Sequence, residues 1–185
     1  MTSRLLELVR ELAFERRLVT LKSGRTSQFY IDCRNVALHP EGIVQVSAAL
    51  WTALCSTGPA FDAVAGPSIG ADPLVSGIAY RSATEGPPCP ALLVRPEPKA
   101  HGTGRRIEGM RNVRPGARIA VVEDVLTSGG SALNTVAALR EAGLDPVRVI
   151  ALVDREEGGF EAIQAAGLFV QAVLRKRDIA PDLVE

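Results

Sequence analysis

Five short apolar runs alternate with amphipathic stretches along the chain. Their residues are apolar at successive positions rather than at every second one, as is typical of strands that a parallel sheet buries on both faces. This pattern predicts an α/β fold with a central, mainly parallel sheet flanked by helices. The predicted strands are FDAVAG (61–66), ALLVR (91–95), RIAVVED (118–124), VRVIALVD (147–154) and LFVQAVL (168–174).

Apolar residues recur at helical spacing before and between these runs. The first such segment places Leu5, Leu8 and Leu12 on one side, with charged residues opposite. A later helix ends at Gly143, with Pro146 just beyond it, which makes a βαβ unit of the strands on either side. The other predicted helices cover approximately 41–55 and 72–82.

The composition is that of one ordinary globular domain, which we assign to 1–185 because a domain usually has roughly 100–200 residues. Apolar residues make up 46% of the chain and charged residues 23%, which argues against a disordered chain. The 21 Lys and Arg balance the 21 Asp and Glu, so no overall positive field attracts nucleic acid or an anionic membrane. We therefore expect neither as a partner, and any bound anion must be held locally.

The three cysteines, Cys33, Cys55 and Cys89, lie far apart and form no C-x-x-C pair. Neither a disulfide framework nor a zinc site is indicated. The N-terminal segment is interrupted by charge every few residues, and no run approaches the roughly 18 apolar residues that span a bilayer. We expect a cytoplasmic protein with reduced thiols.

The segment VVEDVLTSGGS (121–131) carries the clearest candidate site. A buried strand ends in Glu123 and Asp124, and the chain then turns through glycine and hydroxyl residues into a predicted helix. Free N–H groups, hydroxyl donors and the positive end of the helix dipole together form a cradle for one phosphate. The two carboxylates would repel a polyphosphate but suit sugar hydroxyls or Mg²⁺. The combination indicates a phosphorylated sugar as the ligand.

Other interpretations of this segment differ in strength. It matches neither G-x-x-x-x-G-K-[ST] nor G-x-G-x-x-G, which disfavours a nucleoside triphosphatase and a dinucleotide site. In a purely structural alternative, Thr127 or Ser128 caps the helix and the glycine pair forms the bend. The acidic pair at the carboxyl end of a strand, where α/β proteins bind ligands, favours the ligand site.

The segment RPEPKAHGTGRRIEGMRNVRPG (95–116) is polar, basic and too long for a routine connection. Its cations would form a movable lid that stabilises the charge developing on a pyrophosphate leaving group and excludes water. On the residues alone, a solvated basic loop is an equally good interpretation. The cations in question are Arg95, Lys99, His101, Arg105 and Arg106.

Four segments together resemble the orotate phosphoribosyltransferase family. Segment 121–131 resembles the 5-phosphoribosyl 1-pyrophosphate (PRPP) signature of type I phosphoribosyltransferases, and alone it would identify only that superfamily. TLKSGRTSQFYID (20–32) resembles the family's N-terminal substrate segment, RPEPKAHGTGRRIEG (95–109) its mobile catalytic loop, and LVDREEGG (152–159) its orotate-side segment. The similarity covers nearly the whole chain in the expected order.

The resemblance implies a type I phosphoribosyltransferase fold, with 1–35 as an N-terminal helix and hood segment and 95–109 as the mobile catalytic loop. It implies Mg²⁺-dependent transfer of the phosphoribosyl group from PRPP to orotate, which gives orotidine 5′-monophosphate and pyrophosphate in pyrimidine biosynthesis. It also implies a homodimer in which the 95–109 loop reaches the neighbouring active site.

The resemblance also implies roles for individual residues. The catalytic residues would be Lys99, His101, Glu123 and Asp124. PRPP would contact Lys22, Arg95, Lys99, His101, Glu123, Asp124, Val125, Leu126, Thr127, Ser128, Gly129, Gly130 and Ser131. Orotate would contact Lys22, Tyr30, Thr127 and Arg155. Mg²⁺ would be held mainly through PRPP, with Glu123 or Asp124 as the candidate protein ligand.

The residues on the orotate side have the required chemistry. Tyr30 offers a flat aromatic surface to a planar base, and Arg155 offers a planar fork to a carboxylate. The alternatives are that Phe29 and Tyr30 pack in a strand core and that Arg155 forms a surface ion pair with Glu156 or Glu157.

Two positions depart from the family pattern. Gly70, in the loop GPSIGADP (66–73) that should contact pyrophosphate through its backbone, stands where many relatives have a lysine. Pro96 follows Arg95 where a second basic residue is common. Both changes remove a cation from the phosphate side, so either the remaining cations suffice or PRPP binds more weakly.

Two other functions remain open at this point. One is a phosphoribosyltransferase acting on a different base, against which segment 20–32 and Arg155 argue. The other is a non-catalytic regulator that senses PRPP and binds RNA or DNA, against which the neutral net charge and the lid loop argue.

Overall fold

The computed structural model describes residues 3–20, 26–97 and 106–183. The strands in these ranges are β1 (Phe14–Glu15), β2 (Val19–Thr20), β3 (Thr26–Ser27), β4 (Tyr30–Ile31), β5 (Ala63–Pro67), β6 (Ala91–Val94), β7 (Ile107–Glu108), β8 (Arg118–Leu126), β9 (Asp145–Asp154) and β10 (Phe169–Arg175). The α-helices are α1 (Ser3–Leu8), α2 (Arg34–Ala37), α3 (Pro40–Ser56), α4 (Asp72–Glu85), α5 (Gly130–Glu141), α6 (Gly159–Ala165) and α7 (Lys176–Ile179).

Six of the strands form the central sheet, in the order β10-β9-β8-β5-β6-β7. Neighbouring strands are parallel except for the antiparallel pair of β6 and β7 at one edge. All five predicted strands lie in this sheet, which confirms the predicted α/β fold. The pattern did not predict β7, because two residues are too few to show a period.

Helices cover both faces of the sheet, which explains the continuous apolar runs. Along β8, Ala120 and Val122 pack into the core shared with α1, α3 and α4. Ile119 and Val121 pack into the opposite core, shared with α5 and α6. Successive side chains of a strand point to opposite faces, so a strand covered on both sides has to be apolar at every position.

Some boundaries differ from the prediction for identifiable reasons. β9 begins at Asp145 and includes Pro146, which pairs with Ile119 where the register with β8 shifts. Proline lacks an N–H donor, and a strand start beside such an irregularity tolerates it. The first helix is α1 followed by a π-helical turn, Val9–Ala13.

The N-terminal segment packs beside the carboxyl end of the sheet. β1 and β4 form a small antiparallel pair, and β2 and β3 form another. Arg10 donates hydrogen bonds to the carbonyl oxygens of Ile179 at 2.9 Å and Asp178 at 2.6 Å, which ties this segment to the C-terminal one. The register of β1 with β4 places Tyr30 opposite Glu15.

β7 lies inside the segment predicted as a loop (95–116, with 95–109 as the mobile part), so the connection from β6 ends earlier than predicted, at the antiparallel edge of the sheet. The N–H of Arg95 donates to the carbonyl of Arg106 at 2.9 Å, next to the pairing of β6 with β7. Lys99 and His101, together with Lys22 of the hood segment, lie outside the described residues. The predicted positions of these three side chains therefore stay predictions.

All three cysteines are free, with Cys33 and Cys89 buried and Cys55 exposed. Within the described ranges, no helix combines the length and the apolar character needed to cross a bilayer.

Arg148, near the start of β9, is a charged side chain within the core and is only 1% exposed. Its guanidinium donates to the carbonyl oxygens of Leu54 at 3.1 Å and Pro59 at 3.2 Å, and to the side-chain oxygen of Gln171. The rings of two phenylalanines flank it. Burial lowers the pKa of Arg148. The carbonyl oxygens of Leu54, in the last turn of α3, and of Pro59, just beyond it, thus take the place of a carboxylate partner.

We expect Arg148→Met to lower the free energy of unfolding by about 2–4 kcal/mol, because several buried acceptors lose their donor. Urea denaturation would measure the loss. The matched control is Arg118→Met, since Arg118 forms a largely exposed ion pair with Asp62 at 3.5 Å and its loss should cost about 0.5 kcal/mol or less. Equal losses in the two variants would contradict the structural role of Arg148.

Candidate active site

A cavity of about 310 Å³ opens at the carboxyl ends of β5, β8 and β9. This edge of a parallel sheet is where α/β folds bind their ligands. The cavity brings together residues that lie far apart in the sequence, including many of the predicted site residues. Its lining consists of Tyr30, Ile31, Asp32, Arg34, Pro67, Ser68, Gly70, Glu123, Asp124, Val125, Thr127, Ser131 and Arg155.

The acidic pair at the end of β8 is buried at the back of the cavity. Glu123 is 4% exposed, and its Oε2 atom has no hydrogen-bond partner among the described residues. Burial, reinforced by the charge of Asp124, raises the pKa of Glu123 to about 8. Burial also raises the pKa of Asp124, whose Oδ1 accepts a hydrogen bond from the N–H of Val125 at 2.8 Å. Such a pair attracts hydroxyl donors and cations.

The same pair has the donors that Mg²⁺ requires, including the unpartnered buried oxygen of Glu123. Among the described residues, no group of three or more His, Cys, Asp or Glu is placed to hold a metal. Mg²⁺ is commonly bound by one or two carboxylates, with phosphate oxygens and water completing the octahedron. The site therefore fits Mg²⁺ shared with a phosphorylated ligand, rather than a metal enclosed by protein alone.

The turn after β8 has the geometry of an anion cradle. Gly129 is the N-cap of α5 in the left-handed conformation, with φ of 82°, and no side chain caps the helix. No described residue accepts a hydrogen bond from the N–H of Ser128 or Gly129. Thr127 and Ser131 line the cavity. The structural alternative, in which Thr127 or Ser128 caps the helix, is wrong, because no side chain forms a capping hydrogen bond there. The Ser131 hydroxyl forms a hydrogen bond with the Glu123 carboxyl group.

Gly70 lies against the acidic pair. A Cβ atom at this position would come within 2.3 Å of Oδ2 and 2.6 Å of Cγ of Asp124. Any side chain here would displace that carboxylate, because heavy atoms do not approach so closely. The absence of a lysine at Gly70 is therefore tied to the position that Asp124 adopts.

Arg155 faces the cavity from the end of β9 and is 3% exposed. One Nη atom donates to the Ser27 hydroxyl at 3.1 Å and pairs with the Glu157 carboxylate at 2.8 Å. The guanidinium lies 4.5 Å from the centre of the Phe29 ring. Its buried Nε has no partner among the described residues. The alternative ion pair with Glu157 is thus present, but it leaves donors of Arg155 unused.

Tyr30 is half-buried and lines the cavity, whereas its neighbour Phe29 is 7% exposed and belongs to the core. The guanidinium of Arg17 lies 4.9 Å from the centre of the Tyr30 ring. The strand-core alternative therefore applies to Phe29, whereas Tyr30 lines the cavity and contacts Arg17.

The sequence analysis did not single out Asp32 and Arg34, which also line the cavity. The Arg34 guanidinium donates two hydrogen bonds to the Asp32 carboxylate, at 2.8 and 2.7 Å. Its charge also acts to lower the pKa of Asp124, against the larger effect of burial. An acidic and a basic residue two positions apart look like an ordinary exposed pair in sequence. Only the folding of the hood segment onto the strand ends brings them here.

Other predicted residues lie beside the cavity rather than in it. Arg95 pairs with Glu108 at 3.3 Å. The Leu126 side chain is buried in the core, and its carbonyl accepts the N–H of Arg155 at 2.9 Å. The turn contains Ser128 and Gly129, and α5 begins at Gly130. None of these three residues lines the cavity. Their contacts with a ligand stay predictions.

Comparisons with known proteins identify relatives along nearly the whole chain. A scan against models of protein families finds no match. The chain is 49% identical over 179 residues to the orotate phosphoribosyltransferase of Sorangium cellulosum, covering 97% of this chain and 93% of that protein. It is 43% identical over 176 residues to that of Nostoc sp., covering 95% and 84%. A crystal structure of Mycobacterium tuberculosis orotate phosphoribosyltransferase in complex with PRPP has a TM-score of 0.77 at 35% identity, covering 96% of this chain and 97% of that one.

We expect Glu123→Gln to raise the thermal midpoint of the ligand-free protein at high pH and not at low pH. The pKa of Glu123 rises from 4.5 to about 8 on folding, so the folded state binds the extra proton. Stability is then lost as the pH rises through this interval, and a neutral glutamine avoids the loss. Thermal melts between about pH 5 and pH 9 would show a difference that grows with pH.

The control for this experiment is Asp62→Asn. Hydrogen bonds from Arg118 lower the pKa of Asp62, so its charge stabilises the fold above its ordinary pKa of 3.8. The control should lower the thermal midpoint, or leave it unchanged, across the same range. A pH-independent effect of Glu123→Gln would show that Glu123 is not buried as an uncompensated carboxyl.

Proposed function

The chain belongs to the orotate phosphoribosyltransferase family, and we propose that it transfers the 5-phosphoribosyl group of PRPP to orotate. The products are orotidine 5′-monophosphate and pyrophosphate, in a step of pyrimidine biosynthesis. One observation carries the proposal: an acidic pair, residues of a hydroxyl- and glycine-rich turn and a buried arginine line a single cavity. Their chemistry suits, in turn, the ribose, its 5′-phosphate and the carboxylate of orotate.

In this proposal Glu123 and Asp124 bind the ribose hydroxyls and favour positive charge on the sugar. The bond between the anomeric carbon and pyrophosphate breaks, and the bond to a ring nitrogen of orotate forms. That nitrogen gives up its proton to pyrophosphate or water, and no covalent enzyme intermediate is required. The transition state resembles an oxocarbenium ion. Positioning and electrostatic stabilisation then supply most of the catalysis.

The turn from Thr127 to Ser131 anchors the 5′-phosphate. Its support is the unused N–H groups of Ser128 and Gly129 and the left-handed cap that begins α5. Val125 lines the cavity before the turn. Leu126 holds the turn in place through its buried side chain.

Bound Mg²⁺ would supply charge neutralisation for the pyrophosphate. Glu123 or Asp124 would hold it, with the remaining ligands from PRPP and water. Glu123 would lose its proton in the process, because a metal ligand has to be deprotonated.

Orotate binds on the opposite side, where its carboxylate pairs with Arg155. Ser27 and Glu157 fix one end of that guanidinium, and its remaining donors are offered to the substrate. The ring of Tyr30 provides a flat surface for the pyrimidine, with Thr127 and Lys22 completing the contacts.

Lys99 and His101 close over the pyrophosphate and stabilise its developing charge. Arg95 supports this loop at its base, where it pairs with Glu108. Arg34 lines the cavity with its charge paired to Asp32, so this pair adds no net charge in place of the cations missing at Gly70 and Pro96.

We further propose that the protein is a homodimer that associates through the faces of α3 and α4. A groove of about 350 Å³ between these helices is lined partly by apolar residues. Val44 and Tyr80 are exposed beside it, and Ile69 is exposed between two residues of the cavity lining. In this proposal a second copy covers the apolar face, and its 95–109 loop reaches the neighbouring site.

We propose that residues 1–185 form one domain and that the protein acts in the cytoplasm. The free state of all three cysteines agrees with a reducing compartment.

An assay of purified protein with Mg²⁺, PRPP and a base tests the reaction. We expect loss of orotate absorbance and release of pyrophosphate with orotate, and no reaction with uracil, adenine or hypoxanthine. Turnover of another base alone would indicate a different phosphoribosyltransferase. PRPP binding without turnover of any base would favour the non-catalytic regulator.

We expect Arg155→Ala to raise the KM for orotate far more than the KM for PRPP. Loss of the partner of a buried carboxylate should cost about 2–5 kcal/mol. Steady-state kinetics with each substrate varied would measure both constants. Arg175→Ala is the control, because Arg175 is an exposed arginine over the Phe160 ring and lies outside the cavity lining. A larger rise in the KM for PRPP would move Arg155 out of the orotate pocket.

We expect an equal mixture of Lys99→Ala and Asp124→Asn chains to recover activity that neither has alone. If Lys99 acts in the neighbouring site, each heterodimer has one complete site of two. Random pairing makes about half of the dimers mixed, so roughly a quarter of the parent activity should return. Activity that stays at the level of the single variants, despite subunit exchange shown by native mass spectrometry, would mean that the loop serves its own subunit.

A further inference from the structure

The start of α6 packs against the phosphate turn with no side chain between the two backbones. A Cβ atom at Gly159 would come within 2.4 Å of the carbonyl oxygen of Thr127, 2.9 Å of Cγ of Leu126 and 3.0 Å of the N atom of Gly129. The contact is reciprocal, because a Cβ atom at Gly129 would come within 3.2 Å of the Gly159 carbonyl oxygen.

We propose that Gly159 is a positioning residue for the phosphate turn. Its lack of a side chain lets the first turn of α6 support the backbone of residues 127–129 where the 5′-phosphate of PRPP binds. This inference rests on the proposed function, which assigns the turn to that phosphate. It adds a residue outside the cavity lining that acts on PRPP through the turn.

The structure leaves little room for either element to give way. On the side of the turn, the Leu126 side chain is 1% exposed in the core. On the side of the helix, Ile163 is fully buried in the same core. Burial of this kind holds both elements, so a methyl group at Gly159 has to displace the carbonyl of Thr127 or the N–H of Gly129. The peptide that joins Thr127 to Ser128 carries the first N–H group that we expect to bind the phosphate.

A second contact connects the turn to the orotate side. The N–H of Arg155 donates to the Leu126 carbonyl at 2.9 Å, just before the turn. Segment 155–159 therefore has two contacts here: Arg155 bonds the residue just before the turn, and Gly159 contacts the turn itself. Between them, Glu156 is anchored by the N–H and Nε of Arg177, at 3.1 and 2.5 Å.

Gly159→Ala tests the proposal, with Gly167→Ala as the matched control. Both are glycine-to-alanine changes at the ends of α6. At Gly167, φ is 77° and nothing lies within 4 Å of the added Cβ, so the change strains the backbone without touching the turn. Thermal melts would establish that both variants fold.

We expect Gly159→Ala to weaken binding of ribose 5-phosphate at least tenfold by isothermal titration calorimetry and to raise the KM for PRPP by a similar factor. The KM for orotate should change less than threefold. The control should keep the parent constants, whatever its thermal midpoint. If Gly159→Ala does not fold, Ala162→Val extends the same helix surface towards Gly129 and should weaken ribose 5-phosphate binding in the same direction.

Parent-like binding of ribose 5-phosphate by folded Gly159→Ala, or by Ala162→Val in its place, would overturn the inference alone. Equal weakening in Gly167→Ala would do so too, since it would assign the effect to general destabilisation. A parent protein that binds no ribose 5-phosphate would overturn the phosphate assignment together with the inference. Failure of the parent to turn over orotate while it binds ribose 5-phosphate would count against the proposed reaction and leave the role of Gly159 standing.

Discussion

The parallel pairing of β8 with β9 determines where each part of the site lies. The register runs to the ends of both strands, where Leu126 faces Asp154, and the N–H of Arg155 continues the ladder to the Leu126 carbonyl. Because parallel strands end at the same edge, the residues that follow them arrive side by side. The acidic pair lies near the carboxyl end of β8 and the phosphate turn follows that strand, while Arg155 follows β9. One set of backbone hydrogen bonds thus spaces the sugar, phosphate and base sides of the proposed site.

Burial leaves an acidic and a basic side chain of this cavity with incomplete hydrogen bonding. Glu123 has an oxygen without a partner, and Arg155 has a nitrogen without one, among the described residues. Each such group costs stability in the free protein, because it loses water without gaining a full set of hydrogen bonds. A ligand with hydroxyls at one end and a carboxylate at the other supplies what is missing. The stability that the free protein loses at these groups therefore favours ligands that supply the missing hydrogen bonds. Such an exchange of stability for function is common.

Two glycines shape the site by contributing no side chain. Gly70 leaves room for the Asp124 carboxylate, and Gly159 leaves room for the turn that starts at Thr127. Neither glycine is needed there for a left-handed conformation, since the structure gives neither a positive φ. Both positions are constrained by distance alone. The site therefore depends on missing side chains as well as on the side chains that line it.

The sequence by itself determined the fold class and the centre of the site. Continuous apolar runs identify strands buried on both faces, and the acidic pair followed by TSGGS is local enough to be recognised where it stands. Tertiary structure decided what depends on distant segments: the entry of Asp32 and Arg34 into the cavity, the pairing of Arg95 with Glu108, and the separation of Tyr30 from Phe29. It also decided which glycines tolerate no side chain. The physical reason is that periodicity and turn chemistry act between near neighbours in the chain, whereas burial, unpaired charge and close approach are set by whichever residues the sheet brings to the same edge.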